Sequence, residues 1–151
     1  MHKNFRVYRP TKAGAGAACE LNMREDTESK FPKHLCFLKL AKQTGTDEND
    51  NAKFDWDGGI TMKLGDVDLG EMVSVLENRK QAAGTGKGLY HQTDKGSKVL
   101  HFESGNTDDG TKYKVRLSTS KENAISIYLS PGEACVLLEV LKGMIRTIYG
   151  L

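Results

Sequence analysis

The sequence lacks the features that mark secreted, membrane-spanning and highly cationic proteins. It has three cysteines, an odd and widely spaced set that predicts no disulfide framework. Its apolar runs all fall short of the ~20 residues that cross a bilayer. The basic start of the sequence is followed by no apolar stretch, so we expect no secretory signal and a cytoplasmic location. The net charge of +2 suits nucleic-acid binding only if the cations are concentrated locally.

Motifs for catalysis and for metal or cofactor binding are equally scarce. Residues 47–51 resemble the start of a calcium loop, but Ala52 and Gly58 stand where that loop needs its glycine and its glutamate. The glycine-containing string at 84–87 is too short for a phosphate-binding loop. The histidines show no ligand spacing with cysteine or carboxylate residues. We therefore predict a protein that is not an enzyme and has no cofactor and no metal site.

The cysteines themselves are expected to be small core residues. Cys19, Cys36 and Cys135 each lie among apolar neighbours on a predicted strand or helix. Free cysteine commonly behaves as a buried apolar side chain. The sequence therefore predicts that all three are buried.

One strand-and-helix unit occurs twice in the sequence. Residues 60–76 align without a gap on residues 125–141, with four identities in seventeen positions. Alternating or apolar segments before each helix predict four strands per half. These strands lie near 5–9, 19–23, 34–40 and 60–64, and near 89–92, 99–103, 113–118 and 124–129. We therefore predict one α+β domain, residues 1–151, with two pseudo-repeats at 1–80 and 86–151 and the order ββββα-ββββα.

The second helix has a well-defined start and an unusually apolar body. Ser130 and Glu133 have the spacing of a capping box, and Pro131 occupies the first helical position. The helix, predicted to run to about Tyr149, is apolar around most of its circumference, so more than one side must be covered. We predict a homo-oligomer, a dimer or tetramer, that assembles through this C-terminal helix.

Strand alternation also places basic and aromatic side chains together on the outward sheet faces. Cations bind the phosphates of a single strand, and exposed rings stack on its bases with about 1 to 3 kcal/mol per base. We therefore predict a protein that binds single-stranded nucleic acid with little sequence specificity, DNA first and RNA second. The candidate binding residues on these faces and the adjoining hairpins are Arg6, Tyr8, Lys12, Lys63, Lys87, Tyr90, Phe102, Lys112, Lys114, Arg116 and Tyr128.

The same residue types are common on any solvated strand face, where lysine also protects sheet edges from aggregation. The alternative is therefore a protein-interaction or structural oligomeric module that binds no nucleic acid. Trp56, the only tryptophan, is expected to anchor the loop at 54–59, with stacking on a base as its alternative role.

The duplicated order, with Leu-Ser-Pro-Gly-Glu at 129–133 leading into an apolar helix, resembles the Whirly-type single-stranded nucleic-acid-binding proteins. The layout is also similar to that of the PUR repeat proteins and the kinetoplastid guide-RNA-binding proteins. This resemblance implies two four-stranded antiparallel sheets packed crosswise, each followed by a helix, and subunits that associate through their helices. It also implies that outward sheet faces and hairpins bind single strands. The positions that fit this role are Lys63, Lys114, Arg116 and Tyr128. The Lys-Gly-Lys-Ala-Ala-Leu motif of plant Whirly proteins is absent.

Overall fold

A computed structural model describes residues 3–31, 33–108 and 110–151 of the chain. The first half contains β1 (Lys3–Arg9), β2 (Ala17–Asp26), β3 (Lys33–Thr46), β4 (Ala52–Phe54), β5 (Ile60–Leu64) and helix α1 (Asp66–Leu76). The second half contains β6 (Leu89–Thr93), β7 (Gly96–Thr107), β8 (Gly110–Ser118), β9 (Ala124–Leu129) and helix α2 (Pro131–Ile148). The predicted bounds of β5 and β9 are confirmed, because apolar and polar residues alternate clearly in both strands.

The first sheet is antiparallel and has five strands, one more than the sequence predicts. β1, β2 and β3 form a meander, and β5 pairs with β3 from Cys36 to Leu40. The extra strand, β4, pairs with the far end of β3 beyond a bulge between Gln43 and Gly45. β3 is therefore long enough to carry two short strands along one edge.

The second sheet is a four-stranded antiparallel meander in the order β6-β7-β8-β9, as predicted. Its central hairpin is longer than expected. The sequence predicts a loop over 105–110, whereas β7 continues to Thr107 and β8 starts at Gly110. The pairing of Asn106 with Thr111 shows that this polar segment is part of the ladder.

The inward faces of the two sheets enclose one apolar core. β9 packs against β2 and β3, and β5 packs against β8. In the second half, the predicted inward direction of six side chains is confirmed, because all six are buried. These are Tyr113, Val115, Leu117, Ile125, Ile127 and Leu129.

Both predicted capping interactions are present. The Ser130 hydroxyl accepts a hydrogen bond from the Glu133 amide at 3.3 Å, and the Glu133 carboxylate accepts one from the Ser130 amide at 2.9 Å. In α1 the Gly65 amide donates to the carboxylate of Asp68 at 2.8 Å. The Arg9 guanidinium of β1 also pairs with Glu133, which ties the start of α2 to the first sheet.

Most of the apolar circumference of α2 is covered within the same chain. α1 packs along it, and β1, β3, β8 and β9 also contact it. Val136, with 56 % of its surface exposed, remains open to solvent. Cys135 is exposed as well, so the prediction that it belongs to the core is wrong. Cys19 and Cys36 are buried as predicted, and burial raises the pKa of their thiols to about 12 and about 11.

The connection between the halves is held against α1 by a charged side chain. Glu71 accepts hydrogen bonds at 2.7 Å from both the Lys80 ammonium and the Gly84 amide. Farther along, the Ala83 amide donates to the Phe102 carbonyl and the Ser104 amide donates to the Gln81 carbonyl. The connection therefore extends the second sheet along the edge of β7.

Candidate nucleic-acid interface

The outward side of the first sheet, here called face one, is organised by the strand register into rows. One row runs from Asn4 through Asn22 and Phe37 to Lys63. Phe37 and Lys63 are direct cross-strand partners, so an aromatic and a lysine side chain leave neighbouring positions on the same face of the sheet. Phe37 was not among the residues predicted from the sequence. It lies in the apolar segment 34–40, where only the register shows that it faces outward.

Face one carries more positive than negative charge. Arg6 and Lys39 flank Glu20 in the next row, and Arg24 lies over the Phe37 ring. A shallow depression of about 460 Å³ opens between these side chains. Its lining residues are Asn4, Glu20, Asn22, Arg24, Phe37, Lys39 and Thr61.

A hydrogen-bonded network fixes the polar groups of face one. Glu20 accepts from the Arg6 guanidinium at 2.6 Å and from the Asn22 amide group at 2.9 Å. The carboxylate of Glu20 raises the pKa of Arg6, through charge first and hydrogen bonding second. Arg6 is therefore held along the sheet surface with its charge partly balanced.

An aromatic cluster closes one end of face one. The Tyr8 ring lies 5.5 Å from the Phe54 ring and 6.4 Å from the Trp56 ring, centroid to centroid. Tyr8 is exposed, whereas Phe54 and Trp56 are half-buried. Trp56 thus packs against β1 through Tyr8. Lys12 is exposed in the β1–β2 hairpin, outside the paired rows of face one.

The outward side of the second sheet, face two, has a matching row. Glu103, Lys114 and Tyr128 lie opposite one another on β7, β8 and β9. Tyr128 has 53 % of its surface exposed. Arg116 lies in the next row, between His101 and Ser126, as its predicted outward position requires.

Face two also has a depression, of about 280 Å³. Lys112 and Lys114 supply its positive charge, and Tyr128 supplies its ring. The other lining residues are Gln81, Glu103, Ser104, Gly105 and Asn106. The predicted residues of β8 and β9 are thus brought together on one surface.

Phe102 is the one candidate that the structure moves to the other side of its sheet. It has 1 % of its surface exposed, and its ring stacks on Tyr113 with 6.3 Å between centroids. Leu100 points inward with it, and His101 and Glu103 point outward. Phe102 therefore belongs to the core, and the prediction that it faces outward is wrong.

Two other predicted residues are exposed at the margin of face two. Tyr90, 60 % exposed, lies on the edge strand β6 opposite Val99. Lys87 is exposed in the connection just before β6. Neither belongs to the row that contains Lys114 and Tyr128.

The two faces carry the same pair of groups in reversed positions. Lys63 and Tyr128 are equivalent in the aligned repeats and both point outward on the last strand of their sheets. Their cross-strand partners are Phe37 and Lys114 respectively. Each face therefore pairs one aromatic residue with one lysine. The lysine lies on the last strand of face one, whereas the aromatic residue lies on the last strand of face two.

Two other kinds of site are not seen in the described part of the chain. Across residues 3–31, 33–108 and 110–151, no three histidine, cysteine or acidic side chains cluster in a way that could hold a metal ion. Neither helix described here combines the length and apolarity needed to span a membrane.

No protein-family model matches the sequence, and a search of curated proteins finds no match. Solved structures show where the fold recurs. A guide-RNA-binding protein complex bound to a gRNA aligns with a TM-score of 0.70 and 14 % identity, over 100 % of this chain and 94 % of that one. WHY1 from Arabidopsis thaliana aligns with a TM-score of 0.65 and 17 % identity, over 99 % and 92 %.

The plant transcriptional regulator PBF-2 aligns with a TM-score of 0.62 and 18 % identity, over 97 % of this chain and 90 % of that one. At these identities the likeness concerns the fold. The chain therefore has a Whirly-like fold, as the sequence resemblance implied.

Proposed function

We propose that this protein binds single-stranded nucleic acid along faces one and two. The observation that carries the proposal is the ring beside a cation on each face, Phe37 with Lys63 and Tyr128 with Lys114. A base that stacks on Tyr128, or on Phe37 after displacing Arg24, leaves its phosphate within reach of the neighbouring flexible lysine. Such contacts depend on backbone charge and base faces, so they admit many sequences.

The fold likeness supports the same class of ligand. One of the similar solved structures is a guide-RNA-binding complex with its gRNA, and another is a transcriptional regulator. DNA and RNA share the phosphates and base faces that the proposed contacts use, and they differ at the 2′-hydroxyl. Single-stranded DNA is the first ligand to test and RNA the second.

We also propose a homo-oligomer, a dimer or tetramer, that uses the exposed side of α2. Val136 lies on that side and lines an open depression of about 420 Å³ between α2 and β1. A charge substitution, Val136→Glu, would place a carboxylate on the proposed contact. Light scattering should then report a smaller mass than for the wild-type protein, whereas an unchanged mass would place the contact elsewhere.

Fluorescence anisotropy of labelled oligo-dT, oligo-U and a duplex, at several salt concentrations, tests nucleic-acid binding. We expect single strands to bind with a micromolar or lower Kd. Log Kd should rise linearly with the logarithm of the salt concentration. Lys114→Ala should reduce the slope of this salt dependence by about the contribution of one phosphate contact.

Arg79→Ala is the matched control, because Arg79 is an exposed cation in the connection after α1 and lines neither depression. It should leave the slope unchanged. Absence of salt-dependent binding to every single strand would overturn the proposal and leave a protein-interaction module as the function.

A further inference from the structure

Face two contains a carboxylate that phosphate binding does not explain. Glu103 points outward in the row of Lys114 and Tyr128 and lines the same depression. Its side chain makes no ion pair or hydrogen bond with another residue of the described ranges. Glu20 on face one differs, because Arg6 and Asn22 both bind its oxygens. A carboxylate on a surface that binds phosphates weakens that binding through charge repulsion.

The same carboxylate suits the edge of a base. A carboxylate only accepts hydrogen bonds, and the N4 amino group of cytosine is a donor that it can accept from. Adenine and guanine also offer amino donors. Uracil and thymine instead present carbonyl oxygens on either side of a single N–H, so their lone pairs face the carboxylate. Glu103 therefore attracts bases that carry an amino group and repels the carbonyl oxygens of uracil and thymine.

The lining of the depression brings the required groups to one place. Tyr128 and Glu103 bound it from strands on either side of β8, and Lys112 and Lys114 lie on β8 between them. Gln81 and Asn106 add amide groups at its rim. Its volume of about 280 Å³ is near the lower end of small-ligand pockets, which span roughly 300–1,000 Å³. A base that stacks on Tyr128 can therefore direct its edge across β8 toward Glu103 on β7.

We propose that Glu103 makes face two select bases that carry an exocyclic amino group over uracil and thymine. This inference rests on the proposed function, since it requires that a single strand occupies face two. Tyr128 supplies the stacking surface, the two lysines hold the phosphates, and Glu103 accepts from the amino group. The protein then has a base preference at one position within otherwise tolerant binding.

The test compares oligo-dC and oligo-dT of equal length by anisotropy at pH 8, where cytosine is neutral. Wild-type protein should bind oligo-dC about 5-fold or more tightly, as expected for one discriminating base contact. Glu103→Gln replaces the carboxylate with an amide that can either donate or accept. Its oligo-dC to oligo-dT affinity ratio should fall toward one, mainly because oligo-dT binding strengthens.

Glu48→Gln is the control, since it removes the same charge from an exposed position in the β3–β4 loop. It should keep the wild-type ratio. Equal ratios in wild type and Glu103→Gln, with strong binding to both oligonucleotides, would overturn the role of Glu103 and leave the proposed function standing. Failure of the wild-type protein to bind either oligonucleotide would overturn both. A thermal melt of Glu103→Gln that matches wild type shows that the comparison concerns folded protein.

Discussion

The guanidinium carbon of Arg24 lies 4.8 Å from the centroid of the Phe37 ring, so the cation covers the ring on face one. Arg24 is exposed and Phe37 is half-buried. A cation in this position is attracted to the ring face by about 0.5 to 1 kcal/mol at an exposed site. A base that reaches face one must therefore stack on the guanidinium plane or displace it from the ring.

Replacement of Phe37 by leucine should weaken binding to single strands. Loss of one stacked base costs about 1 to 3 kcal/mol, which is roughly a 5- to 150-fold rise in Kd. Anisotropy with oligo-dT measures this change. The matched control is Phe31→Leu, because Phe31 is 75 % exposed in the β2–β3 loop and lies outside face one. Equal losses in both variants would contradict a specific role for Phe37.

The buried position of Phe102 predicts an effect on stability. Phe102→Ala should lower the free energy of unfolding by about 3 to 5 kcal/mol, because it leaves a cavity beside Tyr113. Tyr128→Ala, on the exposed side of the second sheet, should cost about 0.5 to 1 kcal/mol. Urea titration separates the two variants. A Phe102→Ala protein with wild-type stability and impaired binding would contradict the core role of Phe102 and indicate that it contacts nucleic acid.

The capping box of α2 makes a separate contribution. Ser130→Ala removes the hydroxyl that accepts from the Glu133 amide and should cost about 1 kcal/mol. Glu133→Gln retains a side chain that can complete the box but loses the charge that pairs with Arg9. That change should cost no more than about 1 kcal/mol, because both groups are partly exposed. Ser126→Ala, on the exposed side of β9, is the control for both and should stay within about 0.5 kcal/mol of wild type in the same urea titration.

The Glu71 contact predicts a pH dependence. The hydrogen bond from Lys80, the largest cause, and the one from the Gly84 amide hold the pKa of Glu71 below its ordinary value. A carboxyl group with a lowered folded-state pKa stabilises the fold at pH values above its unfolded pKa, about 4.3, and this stabilisation is lost as pH falls through the folded-state pKa.

Glu71→Gln should therefore be less stable than wild type at pH 7, and the difference should shrink as the pH is lowered below about 4. Chemical denaturation at a series of pH values measures it. Glu48→Gln, from the exposed β3–β4 loop, should follow the wild-type profile. A difference between wild type and Glu71→Gln that stays constant from pH 7 to pH 3 would contradict the role of the charged contact.

The parts of the fold that the sequence predicted are those with a strong local signal. Alternation defined β5 and β9, and the spacing of Ser130 and Glu133 located the start of α2. β4 has only three residues and forms because the end of β3 offers an open edge. No local pattern of that length distinguishes a strand from a loop.

The site residues show where local patterns fail. Phe37 was missed because the surrounding segment is apolar on both faces, and an apolar run does not reveal which side chains point outward. Phe102 was assigned to the wrong face because Val99 and Leu100 are consecutive apolar residues, so the phase of β7 is ambiguous without its partner strands. Tyr128 and Lys114 were placed correctly, since the alternation in β8 and β9 has no such break.

The pairing of Arg9 with Glu133 also bears on how the chain reaches its folded state. The two residues are 124 positions apart, so a nascent chain has made strands β1 to β9 before the partner of Arg9 leaves the ribosome. Contacts of such long sequence separation slow folding because a large loop must close before they form. β1 can pair with β2 early, but its tie to α2 forms only after Glu133 has been synthesised. A chain stalled before residue 133 would therefore leave uncovered the part of β1 that α2 packs against.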